Sequence, residues 1–249
     1  MKHSFKSNCD GCGRALAFVT KRIWITRTEP GASRLASKLH QSGYQPITAP
    51  VFAIEPVQSP TPRLETDLWV FVSTHAVSHT ANRQWDRTKP VIAVGPATAL
   101  QFESMQVHPL VPSQHSSEGI YDLIRSRFKT GLSVTIVSGR DGRKDLRTWL
   151  SGDGYVCHEW IVYERKPTRV QVSTSQLDAI VAASGAAISE IRQQFATLSS
   201  VSIPLVVPSP RDAELAKSMQ FTTVLIAEGA FDDAIVSSLE DLISTKGQC

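Results

Sequence analysis

The sequence of 249 residues has only four cysteines and lacks two common ligand-binding motifs. Cys9 and Cys12 stand together as CDGC, but no second pair with zinc-ligand spacing follows, so a complete four-ligand site is not indicated. The pair can be half of a metal site, a redox pair or reduced thiols on a disordered extension, and we favour the extension. A phosphate loop of the form GxxxxGK[ST] is also missing, which argues against a nucleotide enzyme.

Long apolar runs and dense basic stripes are missing as well. No stretch approaches the roughly 18 to 20 apolar residues of a membrane span, and the run from Ala15 to Val19 is too short for a signal-peptide core. The net charge of +3 is spread along the chain and not gathered in a Lys/Arg stripe, so nucleic acid is not an expected partner. We expect a soluble cytoplasmic protein with a small anionic ligand and no membrane contact.

The remaining composition is that of an ordinary globular protein, with 41% hydrophobic and 20% charged residues. Apolar runs alternate with helical patterns, which is typical of parallel sheets covered by helices on both faces. Strands are predicted at 23–26, 68–73, 91–94, 133–138, 178–183, 203–207 and 223–227. Helices are predicted at 31–42, 75–84, 96–105, 117–128 and 142–151, and one after each of the last three strands.

Two extended stretches interrupt this alternation. Residues 45–63 (QPITAPVFAIEPVQSPTPR) carry repeated prolines, which cannot donate to a central ladder, so this stretch is an edge strand or a linker. Residues 155–165 (YVCHEWIVYER) form the second stretch. We interpret 46–57 and 155–168 as two arms that pair with each other and connect two lobes.

An internal repeat supports a design with two lobes. Gly43-Tyr44 recurs as Gly154-Tyr155, Ser73 recurs as Ser184, and Ile25 recurs as Ile136, each at a spacing of 111 residues. Glu118-Gly119 and Glu228-Gly229 recur at nearly the same spacing. Such a period indicates duplication of an α/β unit.

The positions of the arms predict which segments form each lobe. Residues 22–45 and 169–249 would form one discontinuous α/β lobe, residues 58–154 the other, and residues 1–21 a disordered extension. Because ligands of open α/β sheets bind outside the carboxyl ends of the strands, we expect a cleft between the lobes into which both present their loops.

The chain after residue 21 resembles the uroporphyrinogen-III synthase family. The segments that carry the resemblance are WITRTEPGASRLASKLHQSGYQPITAPVFAIEP, VFVSTHAV, VIAVGPATA, SSEG, VSGRDGRKDLRTWLSGDGY, VYERKP, LVVPSP and IAEG. Their order and spacing are specific, whereas each alone occurs in many α/β proteins. The chain departs from the family at His75, where Asn is more frequent, and in the weakened serine turn AASGAA.

This resemblance implies a lyase of tetrapyrrole (heme) biosynthesis without cofactor or metal. It would cyclise hydroxymethylbilane to uroporphyrinogen III, with loss of water and inversion of ring D. The implied partners are this substrate and product and, transiently, the upstream bilane-forming enzyme, and we expect a monomer.

A linear tetrapyrrole with eight carboxylates requires many hydrogen-bond donors. Helix N-termini offer free backbone N–H groups, and small polar residues occur at the predicted helix starts. Two arginines, placed just after strands, are further candidates for carboxylate binding. The predicted substrate-binding residues are Arg27, Ser73, Thr74, Gly95, Thr98, Ser116, Ser117, Arg140, Ser184, Gly185 and Ser209. The alternative for each serine or threonine is simple helix capping.

Tyr163 is the predicted catalytic residue, because it matches the tyrosine of the family's VY-containing arm. Departure of the hydroxyl group as water leaves an electrophilic azafulvene, and a phenol can donate the proton or hydrogen-bond the leaving hydroxyl. The alternative is that Tyr163 only packs the arm against a lobe. A competing interpretation of the whole chain is a non-catalytic two-lobe sensor or binding module for a carboxylated ligand.

Overall fold

The structure, a computed structural model, describes residues 20–62, 65–140, 142, 144–195 and 202–244, with side chains to residue 240. The expectations for Cys9, Cys12 and the rest of residues 1–19 lie outside these residues. Lys21, which we expected in the extension, forms a salt bridge with Asp178 at 3.0 Å. None of the described helices is long and apolar enough to cross a membrane.

Ten strands and eight α-helices are assigned in the described residues. The strands are β1 (Arg22–Ile25), β2 (Gln45–Thr48), β3 (Phe52–Pro56), β4 (Leu68–Phe71), β5 (Val91–Ala93), β6 (Ser133–Gly139), β7 (Val156–Pro167), β8 (Ala179–Val181), β9 (Leu205–Val207) and β10 (Val224–Ile226). The helices are α1 (Gly31–Gln41), α2 (Thr74–Ser78), α3 (Pro96–Leu100), α4 (Ser117–Arg127), α5 (Asp145–Gly152), α6 (Gly185–Gln194), α7 (Pro210–Ser218) and α8 (Asp232–Ser244).

The chain divides into two compact units. Of the described residues, those up to 49 and those from 171 onward form the first unit, and those from 50 to 170 form the second. The lobes predicted from the sequence, residues 22–45 with 169–249 and residues 58–154, stay a prediction. The predicted arms are not separate from the units, because β2 belongs to the first sheet whereas β3 and β7 belong to the second. Their role as a connector stays a prediction.

The first unit contains a five-stranded parallel sheet with the order β10-β9-β8-β1-β2. Its strands are short and mostly apolar, as expected for parallel strands buried on both faces. On one side, α1 packs Leu35 and Leu39 into a cluster with Ile23, Ile25 and residues of α8. The proline-containing β2 lies at the edge, where a missing N–H does least harm to the ladder.

The second unit contains a mixed sheet with the order β3-β7-β6-β4-β5. Strands β7, β6, β4 and β5 are parallel, and β3 runs antiparallel to β7 at the edge. Alternate residues of β4 point to opposite faces: Trp69 and Phe71 enter one core cluster, and Leu68 and Val70 enter the other. Both faces of this sheet are therefore buried, which explains the continuous apolar sequence LWVF.

The two units share a topology that confirms the internal repeat. At the repeat spacing β1 corresponds to β6, β2 to β7 and β8 to β4, and the sheet orders agree under this correspondence. In the second unit, the position next to β5 that corresponds to β10 holds only a single parallel bridge, between Ile92 and Leu110. Gly43 and Gly154 both have positive φ, of 81° and 87°, a conformation that glycine adopts without strain after a helix.

Several helices differ in length from the sequence predictions. The helix expected at 75–84 is shorter in the structure, where α2 ends at Ser78. Thr80 Oγ1 donates to the carbonyl groups of Ala76 and Val77, and these bonds replace the backbone bonds that would continue the helix. The helix expected at 96–105 ends at Leu100 and is followed by a 3-10 turn, Glu103–Met105, with Gln106 in the left-handed conformation. The helix expected from 142 begins at Asp145.

Candidate active site

The carboxyl ends of β7, β6, β4 and β5 lie along one edge of the second sheet, since these strands are parallel. Tyr163 of β7 lies opposite Gly139, the last residue of β6. Ser73 follows β4, and Gly95 follows β5. Four strands thus place these residues at the edge at which ligands bind in open α/β sheets.

Tyr163 is largely buried, with 6% of its surface exposed, and its hydroxyl lies 3.0 Å from Ser73 Oγ. The register between β6 and β7 shifts at Ser138 and Gly139. A Cβ atom on Gly139 would come within 2.5 Å of Tyr163 Cε2. The tyrosine ring can therefore occupy this position only because residue 139 has no side chain.

Ser73 has two functions in the structure. It is the N-cap of α2, where Oγ accepts a hydrogen bond from the Ala76 N–H at 3.1 Å, as predicted for a serine at a helix start. The same oxygen contacts the Tyr163 hydroxyl, and either of these groups can be the donor. A helix cap and the predicted catalytic residue are therefore linked by one hydroxyl.

Two imidazole rings of α2 and its C-cap pack against Tyr163. The ring centroids of His75 and Tyr163 are 5.5 Å apart, and those of His79 and Tyr163 are 5.8 Å apart. Burial lowers the pKa of His75, and the nearby His79 and Arg165 lower it further. Burial and Arg83 also lower the pKa of His79, partly opposed by its backbone contact with His75. Both rings therefore favour the neutral form.

A cavity of about 50 Å³ lies beside Tyr163, lined also by Gly139, Arg140, Gly142 and Arg165. This volume exceeds the space that one water molecule needs, so it can accept a small polar group of a ligand. The residues that line it include a tyrosine, whose hydroxyl contacts Ser73, and two positively charged arginines. The predicted residues Tyr163, Ser73 and Arg140 are thus gathered in one small region of the second unit.

The two arginines of this cavity differ in their partners. Arg140 Nε donates to Glu164 at 2.8 Å, and this bond together with one from Lys166 lowers the pKa of the Glu164 carboxyl. Arg165 makes no salt bridge within the described part of the chain, and its side chain is exposed. Arg165 is therefore the better placed of the two to receive an added carboxylate.

The other predicted donors occupy the helix starts that the sequence indicated. Ser184 and Ser209 cap α6 and α7 in the first unit, and Ser116 caps α4 in the second; each accepts a backbone N–H. Gly95 is the N-cap of α3, and Thr74, Ser117 and Gly185 are first residues of their helices. Thr98 is buried with 3% exposure, so its side chain faces the protein interior. Their role in substrate binding stays a prediction.

Arg27 has an internal partner that the sequence did not reveal. Its guanidinium donates to Asp232 Oδ1 at 2.6 Å and to the carbonyl of Ala230 at 2.5 Å. Both side chains are mostly buried, and Arg34 also contacts the Asp232 carboxylate. In this structure Arg27 therefore holds the start of α8, and binding of a ligand carboxylate would require exchange of this pair.

The described residues contain no cluster suited to binding a metal ion and no activated thiol. No group of three or more His, Cys, Asp and Glu side chains there is arranged to hold a metal ion. Burial raises the pKa of the Cys157 thiol, which disfavours the reactive thiolate.

Sequence reasoning missed three residues of this site. Gly139 was not singled out, although it ends a buried strand in the quoted segment VSGRDG. Arg165 lies directly after the YE pair of the second arm, and His79 lies one helical turn after His75. The helical spacing of the two histidines was the signal that could have indicated their common contact with Tyr163.

Comparison with known proteins identifies the family. The family model of uroporphyrinogen-III synthase HemD matches residues 33–237, which is most of the chain. Uroporphyrinogen-III synthase of Escherichia coli (strain K12) is 24% identical over 245 residues, covering 88% of this chain and 99% of the relative. Both matches extend across the two units.

Two solved structures have the same fold. Uroporphyrinogen-III synthetase from Helicobacter pylori 26695 matches with a TM-score of 0.62 at 14% identity, covering 90% of this chain and 99% of that one. A mutant uroporphyrinogen III synthase from the extremely thermophilic bacterium Thermus thermophilus matches with a TM-score of 0.57 at 12% identity, covering 91% and 100%. With the extent of the family match, these findings show that the chain belongs to the uroporphyrinogen-III synthase family, cyclising lyases of heme biosynthesis that convert hydroxymethylbilane to uroporphyrinogen III.

Proposed function

We propose that Tyr163 is the hydrogen-bond donor to the hydroxyl group that leaves hydroxymethylbilane. The observation that carries this proposal is the position of the Tyr163 hydroxyl, 3.0 Å from Ser73 Oγ, on a residue that lines a small cavity at the carboxyl edge of the sheet. A phenol held by a second hydroxyl in a largely buried position is oriented before the substrate arrives. Such orientation favours a donor that acts in the transition state.

The hydrogen bonds around Ser73 favour one direction for the tyrosine proton. Ser73 Oγ already accepts the Ala76 N–H, and its own proton is free to be donated to the oxygen of Tyr163. In that arrangement the Tyr163 O–H points away from Ser73 and is available to the substrate. Ser73 then positions Tyr163 and caps α2 with the same oxygen.

The step that this donor would assist is the loss of water. The C–O bond of the hydroxymethyl group breaks, and the oxygen leaves with the bonding electron pair and the donated proton as water. The pyrrole nitrogen supplies electron density, which gives the azafulvene that the last ring attacks through its substituted carbon. This attack gives a spiro intermediate. The bond from the substituted carbon to its former methylene bridge then breaks, and this methylene bonds to the unsubstituted α-carbon of the last ring. The proton lost from that α-carbon restores the phenol, so the reaction is balanced without an added reagent.

Substrate carboxylates require positive partners, and we propose Arg165 as one of them. Arg165 lines the same cavity as Tyr163 and has no salt bridge within the described residues. Arg140, the residue indicated by the sequence, shares its charge with Glu164. A bidentate contact to a carboxylate suits an unpaired guanidinium. The helix starts at Thr74, Gly95 and Ser117 can add backbone N–H donors.

The first unit contributes further proposed donors. Ser184, Gly185 and Ser209 stand at the starts of α6 and α7, both longer than α2 and α3. The backbone N–H groups and the helix dipole favour an anion at such starts. We retain Arg27 as a proposed contact that would act by exchanging Asp232 for a substrate carboxylate.

The testing experiment is a coupled assay with freshly generated hydroxymethylbilane, in which the oxidised type I and type III uroporphyrins are separated. The purified chain is expected to form the type III isomer above the enzyme-free blank. Tyr163→Phe is expected to lower kcat by about 10- to 100-fold with little change in KM. Arg165→Gln is expected to raise KM, because it removes binding and leaves the donor in place.

Tyr121→Phe is the matched control for the loss of a phenol. Tyr121 also uses its hydroxyl in a hydrogen bond, to Asp153 at 2.9 Å, but it lies on α4 beside α5. It should retain wild-type kcat and isomer ratio. Type III product formed by Tyr163→Phe at the wild-type rate would remove Tyr163 from the chemistry, and type I alone from the wild-type chain would favour the binding-module alternative.

Two further properties are proposed from composition and family. We propose that the chain is a monomer in the cytoplasm. We also propose a transient contact with the upstream bilane-forming enzyme, since the free bilane cyclises without help to the type I isomer. Light scattering at working concentrations tests the monomer, and a dimer mass would contradict it.

A further inference from the structure

Two histidines and the proposed donor form one compact cluster in the second unit. His75 lies in α2 and His79 is its C-cap, one helical turn later, with the His79 N–H donating to the His75 carbonyl at 3.0 Å. Both rings tilt by 60° against the Tyr163 ring, at centroid distances of 5.5 Å and 5.8 Å. The spacing of one turn places both rings on the same side of the helix.

The charged groups around this cluster are cationic. Arg165 of β7 acts on His75, and Arg83, in the turn after α2, acts on His79. Arg83 is fixed in place by hydrogen bonds to the carbonyl groups of Val57 and Ser59. Burial lowers the pKa of each histidine most, and these charges add to its effect, so both pKa values lie below the ordinary value of 6.5.

We propose that His75 and His79 are positioning residues for Tyr163, whose neutral rings hold the phenol at Ser73 and whose protonation stops the reaction on acidification. This inference rests on the proposed function of Tyr163. The inference goes beyond that function, because it assigns the loss of activity at low pH to the side chains of His75 and His79, which do not react themselves.

Protonation would act through two effects of the same sign. An imidazolium ion needs solvation or a counter-ion, and its charged neighbours here are Arg83 and Arg165, so it would turn away from Tyr163 and release the ring. A second positive charge would also oppose the cationic azafulvene formed beside it. Both effects lower kcat as pH falls and leave the neutral enzyme unaffected.

The experiment measures the rate of type III formation against pH, with an enzyme-free blank subtracted at each pH. Wild-type kcat is expected to fall by about tenfold per pH unit below the higher of the two histidine pKa values and by about a hundredfold per unit below the lower. His75→Asn and His79→Gln each remove one titrating group and are expected to retain a larger share of their neutral-pH rate. Asn and Gln keep a polar side chain but cannot titrate. His40→Asn, at an exposed position of α1, is the matched control and should keep the wild-type profile.

A second measurement does not depend on activity. The carbon-bound ring protons of the histidines are followed by NMR during a pH titration of the wild-type chain, and the signals missing in each variant assign His75 and His79. Midpoints below 6.5 are expected for both. Thermal melts at neutral pH show whether each variant is folded.

The possible outcomes separate the two proposals. Type III activity at neutral pH with an acid limb unchanged in both folded variants would overturn the positioning role and leave Tyr163 as donor. Ordinary midpoints for His75 and His79 would overturn it as well. Absence of type III product from the wild-type chain at neutral pH would instead contradict the proposed function on which it rests.

Discussion

The absence of a side chain at residue 139 determines where Tyr163 can lie. Gly139 ends β6 directly opposite the tyrosine, and a Cβ there would meet Cε2, Cζ and Cδ2 of the ring at 2.5, 2.7 and 3.1 Å. The first two distances are shorter than real Cβ contacts, so the ring or the strand must move. Since the Tyr163 hydroxyl contacts Ser73, movement of the ring disturbs that contact too.

Gly139→Ala is therefore expected to reduce catalysis more than substrate binding. Crowding of a packed site costs about 1 to 3 kcal/mol, so the free energy of unfolding should fall as well. We expect kcat for type III formation to drop by about tenfold, because the donor is displaced and the carboxylate partners stay in place. Steady-state kinetics and chemical denaturation measure the two effects.

Gly152→Ala is the control for this substitution. Nothing lies within 4 Å of a Cβ at Gly152, and its φ is not positive. Alanine there should leave kcat unchanged and can stabilise the end of α5 by about 0.5 to 1 kcal/mol. Wild-type kcat in folded Gly139→Ala would show that the ring position does not matter for the reaction.

Arg27 shows what the sequence cannot reveal about single residues. Its place after β1 made a carboxylate contact a sensible prediction, but the partner in the structure is Asp232, which is 205 positions away in the chain. The contact between Tyr163 and Gly139 is likewise absent from the local sequence, since no residue next to Tyr163 indicates it. Residue types at strand ends were predictable, whereas their partners depend on tertiary packing.

At the level of the helices, the serine caps were the most reliable prediction. Ser73, Ser116, Ser184 and Ser209 all occupy N-cap positions with the side-chain bond to a backbone N–H. Local chemistry determines such a cap, so the sequence suffices to find it. The ends of α2 and α3 were wrong because Thr80 and the left-handed Gln106 act through local bonds that helical periodicity does not contain.

The two possible roles of Ser184 can be separated by substitution. Ser184→Ala is expected to lower the free energy of unfolding by about 1 kcal/mol, because the Ala187 N–H loses its acceptor. Asp caps a helix as well as Ser does, so Ser184→Asp should keep wild-type stability. If the start of α6 binds a substrate carboxylate, the added negative charge should raise KM by about tenfold.

Equilibrium unfolding and KM for hydroxymethylbilane are the two measurements needed. Ser184→Asn is the neutral control, since Asn caps equally well without charge. An Asp variant with wild-type stability and wild-type KM would show that Ser184 only caps α6. That result would also weaken the case for Gly185, which shares the same helix start.

For the whole molecule, the duplication explains both the predicted fold and its division. The sequence repeat, the alternation of strands and helices and the proline-bearing edge strands were all visible in the chain, and the sheet orders agree with them. The antiparallel pairing of β3 with β7 inside the second sheet requires contacts between residues more than 100 positions apart. The sequence predicted that the two arms pair, but their membership in the second sheet depends on the pairing of β7 with β6, which has no local signature.

The first unit is assembled from two separate segments. Strand β1 lies between β2 and β8, with Ile23 opposite Ala179 and Pro46, so residues before 49 and after 171 build one sheet. The two ends of the second unit are adjacent, because Thr168 donates its N–H to the Val51 carbonyl at 3.0 Å and its hydroxyl to the Pro50 carbonyl at 2.6 Å. The chain thus leaves and re-enters the first unit at neighbouring points.

We therefore expect each unit to fold without the other. A chain in which residues 50–170 are replaced by a short Gly/Ser linker should form the first sheet, and residues 50–170 alone should form the second, at about 120 residues each, which is an ordinary domain size. Cooperative denaturation and dispersed NMR spectra are the measurements. Residues 101–170 alone are the control and should not fold, since this fragment lacks β4 from the middle of the second sheet. Failure of both single units to unfold cooperatively would mean that each depends on the other for stability, and the duplicated halves would then be one folding unit in spite of their separate cores.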